Sequence, residues 1–139
     1  MRNFVAYVLF VCVLVVTPAF AQDTDKVLKA KAAAQLWLAS ADAGLYGKTW
    51  EQAAAPFQNA VTKADWEVAV KAARAPLGSL KSRSVSSAIF TDHLPGAPKG
   101  EYVVIQYASD YTNRQEVIET VTPMLAADGT WKVSGYYVK

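Results

Sequence analysis

The chain has almost no cysteine or histidine, and this scarcity excludes several kinds of site. Its one cysteine, Cys12, lies in an apolar segment near the start, so residues 22–139 have no thiol for a disulfide or a thiolate metal site. Its one histidine, His93, excludes metal sites built from several histidines. Without disulfides, stability must come from packing.

The chain also lacks an excess of charge of either sign. Its 14 basic and 12 acidic residues give +2, and removal of Arg2 with the first 21 residues leaves +1. No window of five residues is dominated by lysine and arginine, so we expect no nucleic-acid partner. Gly-rich phosphate loops, G-x-S-x-G and H-E-x-x-H are absent as well, so we expect no cofactor, no metal and no common enzyme class.

The first 21 residues have the features of a secretory signal. A positive Arg2 precedes an apolar run over residues 4–16, and alanines at positions 19 and 21 fit cleavage after Ala21. The run is shorter than the ~20 residues that span a bilayer, so we expect no stable membrane anchor after cleavage. The sequence predicts a periplasmic or secreted protein with one domain over residues 22–139.

The first half of that domain has a helical period. Residues 25–43 are predicted to form an amphipathic helix, with Asp23 and Thr24 capping its start and Gly44 ending it. The apolar positions of this helix are Val27, Ala30, Ala34, Trp37, Leu38 and Ala41. Their steps of three and four residues predict one buried face.

Two capping-box patterns predict further helices. Thr49 with Gln52 is expected to start a short helix that Pro56 interrupts, and Thr62 with Asp65 is expected to start another. The predicted buried stripe of the last helix is Trp66, Ala69, Val70, Ala73 and Leu77. Residues 74–78 then stop it.

After Gly78 the period changes to two. Four segments rich in Val, Ile, Thr, Tyr and Trp are predicted as strands: 82–91, 102–111, 116–125 and 131–138. Residues 112–114 and the Asp128-Gly129 pair predict hairpin turns, and Pro123 predicts a bulge or an edge position. The fold class is therefore α+β, with N-terminal helices on one face of a curved four-stranded antiparallel sheet.

Several segments together resemble a known family. They are residues 74–78 with 82–83, residues 94–102, and residues 128–137, with residues 37–38 and 46–50 fitting the same pattern. In combination they resemble the exported bacterial family catalogued as domain of unknown function 4019. The resemblance implies a bacterial envelope location and a cone-like fold of the nuclear-transport-factor-2-like or cystatin-like class, with a helix in the concave side of the sheet. It brings no reaction, cofactor or catalytic residue.

Two arginines are candidate ligand contacts. Arg74 and Arg83 flank the predicted helix-to-sheet junction, where two guanidinium groups together suit a carboxylate or a phosphate. The alternatives are that they cap the last carbonyls of a helix or pair with acids of the chain. The sequence offers Glu101, Glu116 and Glu119 for this role.

The remaining candidates are His93 and three aromatic residues. As the one histidine, His93 is a candidate for acid/base chemistry. Its neighbour Asp92 points to the opposite face in extended chain and could not orient it, so a loop role is the alternative. Trp50, Tyr107 and Tyr136 suit an apolar pocket with polar tips, or alternatively the core. The adjacent Tyr137 must face the opposite side of the strand from Tyr136.

These observations favour a non-enzymatic binding or accessory protein of the bacterial envelope. Its partner would be a small molecule or an envelope protein, and the chain would be a monomer or a dimer. A ketosteroid-isomerase-like enzyme is the alternative, with a lone carboxylate or His93 moving a proton and a tyrosine donating to an oxyanion. A protein-interaction module is the third hypothesis.

Overall fold

The computed structural model describes residues 19–139. Its elements are helices α1 (Ala19–Asp42), α2 (Tyr46–Glu51), α3 (Ala55–Ala60) and α4 (Lys63–Arg74), a 3-10 turn (Ala75–Leu77), and strands β1 (Leu80–Thr91), β2 (Tyr102–Tyr111), β3 (Val117–Leu125) and β4 (Trp131–Val138). The predicted α+β class is confirmed. The predicted signal segment lies outside the described residues except for positions 19–21, which begin α1. Within residues 19–139, no helix has the length and apolar character needed to cross a bilayer.

Helix α1 buries the predicted stripe and ends as predicted. Its fully buried positions are Ala30, Ala34, Trp37, Leu38 and Ala41. Gly44 has φ 74, the left-handed conformation that stops a helix. The predicted start was wrong, because α1 begins at Ala19 and so includes Asp23 and Thr24. No glycine or proline interrupts residues 19–24, and the Thr24 hydroxyl donates to the Phe20 carbonyl at 2.8 Å within the helix.

The second predicted cap is correct and the first is wrong. Thr62 begins α4, and its hydroxyl accepts from the Asp65 amide at 3.2 Å. Thr49 instead lies inside α2 and is fully buried. Its hydroxyl donates to the Tyr46 carbonyl at 2.6 Å and accepts from the Trp66 indole nitrogen at 2.9 Å. This threonine is therefore a polar partner inside the core.

The buried stripe of α4 differs in part from the prediction. Its buried residues, together with those of the following turn, are Trp66, Val70, Arg74 and Leu77. Ala69 and Ala73 were predicted to be buried and are exposed. Positions 66, 70 and 74 follow each other in four-residue steps, so the face that buries Trp66 also buries Arg74. A charged side chain thus enters the interior.

The strands form one antiparallel sheet in the order β1-β2-β3-β4. The predicted strand bounds agree with the structure to within two residues. Pro123 lies at a register shift between β3 and β4, which confirms the predicted bulge. Gly129 has φ 83 in the turn before β4, as the Asp128-Gly129 pair predicted. The sheet curves and stays open at its two edges.

Helix α1 lies across one face of the sheet and contacts all four strands. Trp37 is 2% exposed in the core between helix and sheet, and Trp131 packs against the same core. The strand residues of this core are Val103, Ile105, Tyr107, Val121 and Val133. The last turn of α1 ends beside β1, where Arg83 bonds Asp42. This position brings a carboxylate to the two arginines singled out in the sequence.

Candidate functional site

Two arginines and two carboxylates meet where α1, α4 and the sheet converge. Asp42 ends α1, Arg74 ends α4, Arg83 lies on β1 and Glu119 lies on β3. We call these four residues the arginine–carboxylate cluster. Two positive and two negative charges make the cluster neutral overall. Of the three acids that the sequence offered as partners, the arginines contact only Glu119 among the described residues. Their second partner is Asp42, which the sequence did not suggest.

Glu119 is 0% exposed and is bonded at both oxygens. Its Oε1 accepts from the Ser109 hydroxyl at 2.7 Å and from Arg83 Nε at 2.9 Å. Its Oε2 accepts from Arg74 Nη1 at 3.2 Å and from the Tyr136 hydroxyl. Such a carboxylate remains buried only because charged and neutral donors surround it.

Asp42 binds the outer side of the same guanidinium groups. Arg83 donates from Nη1 to Oδ2 at 2.7 Å and from Nη2 to Oδ1 at 3.0 Å, a two-point contact. Arg74 Nη2 donates to Oδ1 at 2.5 Å. Each arginine therefore bridges Asp42 and Glu119, and both terminal nitrogens of each guanidinium group already donate to a carboxylate.

The protonation states around the cluster are fixed at neutral pH: the carboxylates stay ionised and the neighbouring tyrosines stay protonated. Burial alone would raise the pKa of Glu119, but bonds from Tyr136, Ser109 and Arg83 outweigh it, and the pKa is lowered. Burial would likewise raise the pKa of Asp42, and the bonds from the two arginines lower it instead. Burial beside Glu119 raises the pKa of Tyr111 to about 12 and also raises the pKa of Tyr136. None of these groups exchanges a proton easily near pH 7.

A cleft of about 420 Å³ opens beside the cluster, between α1 and strands β1 and β2. Its lining residues are Lys31, Gln35, Leu38, Ala39, Asp42, Arg83, Val85 and Tyr107. We call it the α1–β1 cleft. Positions 31, 35, 38, 39 and 42 share one face of α1 because they follow each other in steps of one, three and four. Val85 and Tyr107 pair across β1 and β2, so both project from the same face of the sheet.

Tyr107 is the nearly buried polar residue in the lining of the cleft. The residue is 6% exposed, yet its hydroxyl makes no hydrogen bond to another described residue. Every fully buried side-chain nitrogen or oxygen in the described residues has a partner. The Tyr107 hydroxyl must therefore reach solvent, and the α1–β1 cleft is the opening that Tyr107 lines. Burial raises the pKa of Tyr107, so the hydroxyl stays protonated and remains a donor.

Lys31 gives the cleft its net charge. It is half-buried on α1 and forms no ion pair with another described residue. Because the arginine–carboxylate cluster is neutral, Lys31 leaves the cleft with one positive charge. Gln35 adds an amide one turn further along the same face.

The structure places the six sequence candidates in three different surroundings. Arg74, Arg83 and Tyr136 meet around Glu119, and Arg83 and Tyr107 line the α1–β1 cleft. The remaining two, Trp50 and His93, lie away from both.

Trp50 and Tyr136 are part of the packed interior. The Trp50 indole nitrogen donates to the Val61 carbonyl at 2.8 Å. The Tyr136 ring lies with its centroid 5.1 Å from that of Trp37. Neither residue lines the cleft, and both are partly buried against the core between helix and sheet.

His93 lies in the loop after β1 and is exposed. Its amide donates to the Thr91 hydroxyl at 3.1 Å, and its carbonyl accepts from that hydroxyl at 2.8 Å. These contacts form a local turn. The His93 side chain forms no ion pair with another described residue.

Sequence reasoning missed Asp42, Lys31 and Gln35 as site residues. One signal was present, because Arg74 occupies the four-residue step of an apolar stripe, and Glu119 alternates with the apolar positions 117 and 121 of β3. Two residues of opposite charge, one on a buried helix face and one on a buried strand face, indicate a buried ion pair. In the described part of the chain, no group of three or more His, Cys, Asp or Glu residues is arranged to hold a metal ion.

Comparison with protein families finds a match. The family is described as "Protein of unknown function (DUF4019)", and it matches residues 33–136. This range includes the whole arginine–carboxylate cluster and all of the cleft except Lys31. Comparisons with curated proteins and with solved structures find no match. The cone-like fold class implied by the resemblance therefore stays a prediction.

Proposed function

Because the chain belongs to the DUF4019 family of proteins of unknown function, we propose its function from its own residues: a non-enzymatic binding or accessory protein of the bacterial envelope. Its ligand site is the α1–β1 cleft, and its ligand is a small molecule. One observation carries the proposal, the protonated hydroxyl of the nearly buried Tyr107 that no described residue satisfies. A ligand acceptor in the cleft would complete this hydrogen bond.

Binding is favoured over proton transfer because the carboxylates at the site are weak bases. The pKa of Asp42 and the pKa of Glu119 are both lowered, whereas a general base works best with a pKa near the ambient pH. Glu119 is also inaccessible to a substrate. The ketosteroid-isomerase-like alternative would need a carboxylate that is free of the two arginines, and His93 lies away from the cleft.

The envelope location rests on the segment before Gln22. The positive Arg2, the short apolar run and the alanines at positions 19 and 21 are typical of a cleaved signal. An exported domain without cysteine in residues 22–139 suits an oxidising compartment, because it has no thiol to oxidise.

Protein interaction is a second candidate function, favoured by the outer face of the sheet. Ile89, Ile118 and Tyr137 are large, exposed, and project from the side opposite to α1. Single exposed apolar residues are common, but three on one open sheet face fit a docking surface.

Native mass spectrometry of protein purified from its own periplasm tests the proposal. We expect a chain that starts at Gln22 and carries a noncovalently bound small molecule. Ala39→Trp, which places an indole in the cleft, should abolish retention, whereas Ala32→Trp on the exposed side of α1 should not. Protein free of small molecules but bound to a second protein would contradict the proposal and support the interaction module.

A further inference from the structure

We propose that the α1–β1 cleft binds small organic monocarboxylates with an apolar body, an inference that rests on the proposed function. The geometry points to this class through three features that coincide in the cleft. They are one unpaired positive charge, a hydrogen-bond donor at the inner wall, and an incompletely covered apolar surface.

The charge of the site selects a monoanion. Both terminal nitrogens of Arg74 and of Arg83 already donate to Asp42 or Glu119, and Arg83 Nε donates to Glu119 as well. Neither guanidinium group therefore has two free nitrogens to bind a phosphate or a dicarboxylate. Lys31 is the one lining cation without an ionic partner among the described residues. A single carboxylate neutralises it, whereas an amine would meet its repulsion.

The donors of the site suit a carboxylate head. The Tyr107 hydroxyl donates from the sheet, and the Lys31 ammonium and the Gln35 amide donate from α1. A carboxylate only accepts, through two oxygens, so it can use donors from both walls at once. Hydrogen bonds to a charged acceptor are stronger than those to a neutral amide.

The walls of the site suit an apolar body. Leu38 and Ala39 form the apolar part of the wall on α1. On the sheet, Val85 is 42% exposed, although Tyr107, its partner across the strands, is nearly buried. A ligand lying along α1 would cover the free part of Val85. Each methylene group removed from water adds about fourfold to affinity, so a short aliphatic or aromatic body contributes measurably.

Three probes with the same body and different heads test the ligand class: hexanoate, hexanamide and hexylamine. Each is titrated at pH 7 into the full domain, and binding is followed by two-dimensional amide NMR. We expect hexanoate to shift amides around Gln35, Ala39, Val85 and Tyr107, with an affinity at least tenfold above that of hexanamide. Hexylamine should leave these amides unshifted.

Two variants test which side chains bind the carboxylate group of hexanoate. Tyr107→Phe removes one oxygen that bonds no described residue, and Lys31→Gln removes the unpaired charge, so each should weaken hexanoate binding about tenfold. Lys29→Gln, on the same helix but paired with Asp25 at the surface, is the matched control and should bind as the unmodified protein does. Thermal unfolding of each variant confirms that the fold is kept.

The outcomes separate this inference from the proposed function. If hexanamide or hexylamine shifts the cleft amides as strongly as hexanoate, the monocarboxylate class is wrong while the cleft remains a binding site. If hexanoate shifts only amides outside the cleft, or binds equally well to Lys31→Gln and Tyr107→Phe, the inference is overturned. If no probe shifts the cleft amides, it is overturned as well, and retention of a ligand by periplasmic protein decides the proposed function separately.

Discussion

At the scale of single residues, Glu119 determines whether the interior tolerates two arginines. It contacts both guanidinium groups from a fully buried position, and Ser109 and Tyr136 complete its hydrogen bonds. Without its charge, Arg74 would keep only Asp42 as an anionic partner. A buried cation that loses its partner costs far more than the pair contributes.

Glu119→Gln should therefore lower the free energy of unfolding by about 3–5 kcal/mol. Glutamine keeps the size of the side chain and removes the charge, and it places an amide donor against guanidinium donors. Urea denaturation monitored by tryptophan fluorescence measures the change.

Glu116→Gln is the matched control for this substitution. Glu116 is exposed and forms no ion pair with another described residue, so the same chemical change should stay within about 0.5 kcal/mol. A loss below about 1 kcal/mol for Glu119→Gln would show that the arginines do not depend on this carboxylate.

At the scale of elements, the alanines of α1 set how closely the helix approaches the sheet. Ala30 and Ala34 are 0% exposed against the core. Because interiors are close-packed, a larger side chain at either position must move the helix or its neighbours.

Ala34→Leu should destabilise the domain by about 1–3 kcal/mol through overpacking. Ala32→Leu adds the same atoms two residues earlier on the exposed side of α1 and should change stability by no more than about 0.5 kcal/mol. The two variants have equal composition and nearly equal helix propensity, so thermal unfolding isolates the packing effect. Equal midpoints for the two would contradict the assignment of the buried face.

The elements also show how far the sequence predicts the fold. Period-two alternation predicted all four strands, since the sheet has one buried and one open face. Capping patterns were less reliable: Thr62 caps α4, but the similar signal at Thr49 lies inside a helix. The difference arises because the Trp66 indole takes the Thr49 hydroxyl as a core partner, a tertiary contact that local spacing does not contain.

At the scale of the whole molecule, the site is assembled from distant parts of the chain. Asp42 and Arg74 end two different helices, and Arg83 and Glu119 lie on strands that are not neighbours. The sequence named both arginines and offered Glu119 as a partner. It did not indicate the cleft, because the cleft depends on the angle at which α1 crosses the sheet.

The cluster should also make global stability depend on pH in the acid range. Glu119 and Asp42 have lowered pKa values in the folded protein, relative to ordinary values of 4.5 and 3.8. The unfolded chain therefore takes up protons at higher pH than the folded chain does. The stabilisation is complete above the ordinary values and is lost as the pH falls through the lowered ones.

We expect the free energy of unfolding to be nearly constant from pH 7 to pH 5 and to fall steeply toward pH 2. Glu119→Gln should show a shallower fall, because one of the two carboxylates of the arginine–carboxylate cluster no longer takes up a proton. Asp128, whose pKa is lowered by bonds from Thr130, is unchanged in both proteins and cancels in the comparison. Urea denaturation at pH 7, 5, 4 and 3 measures both curves, and parallel curves would show that the acid sensitivity arises outside the arginine–carboxylate cluster.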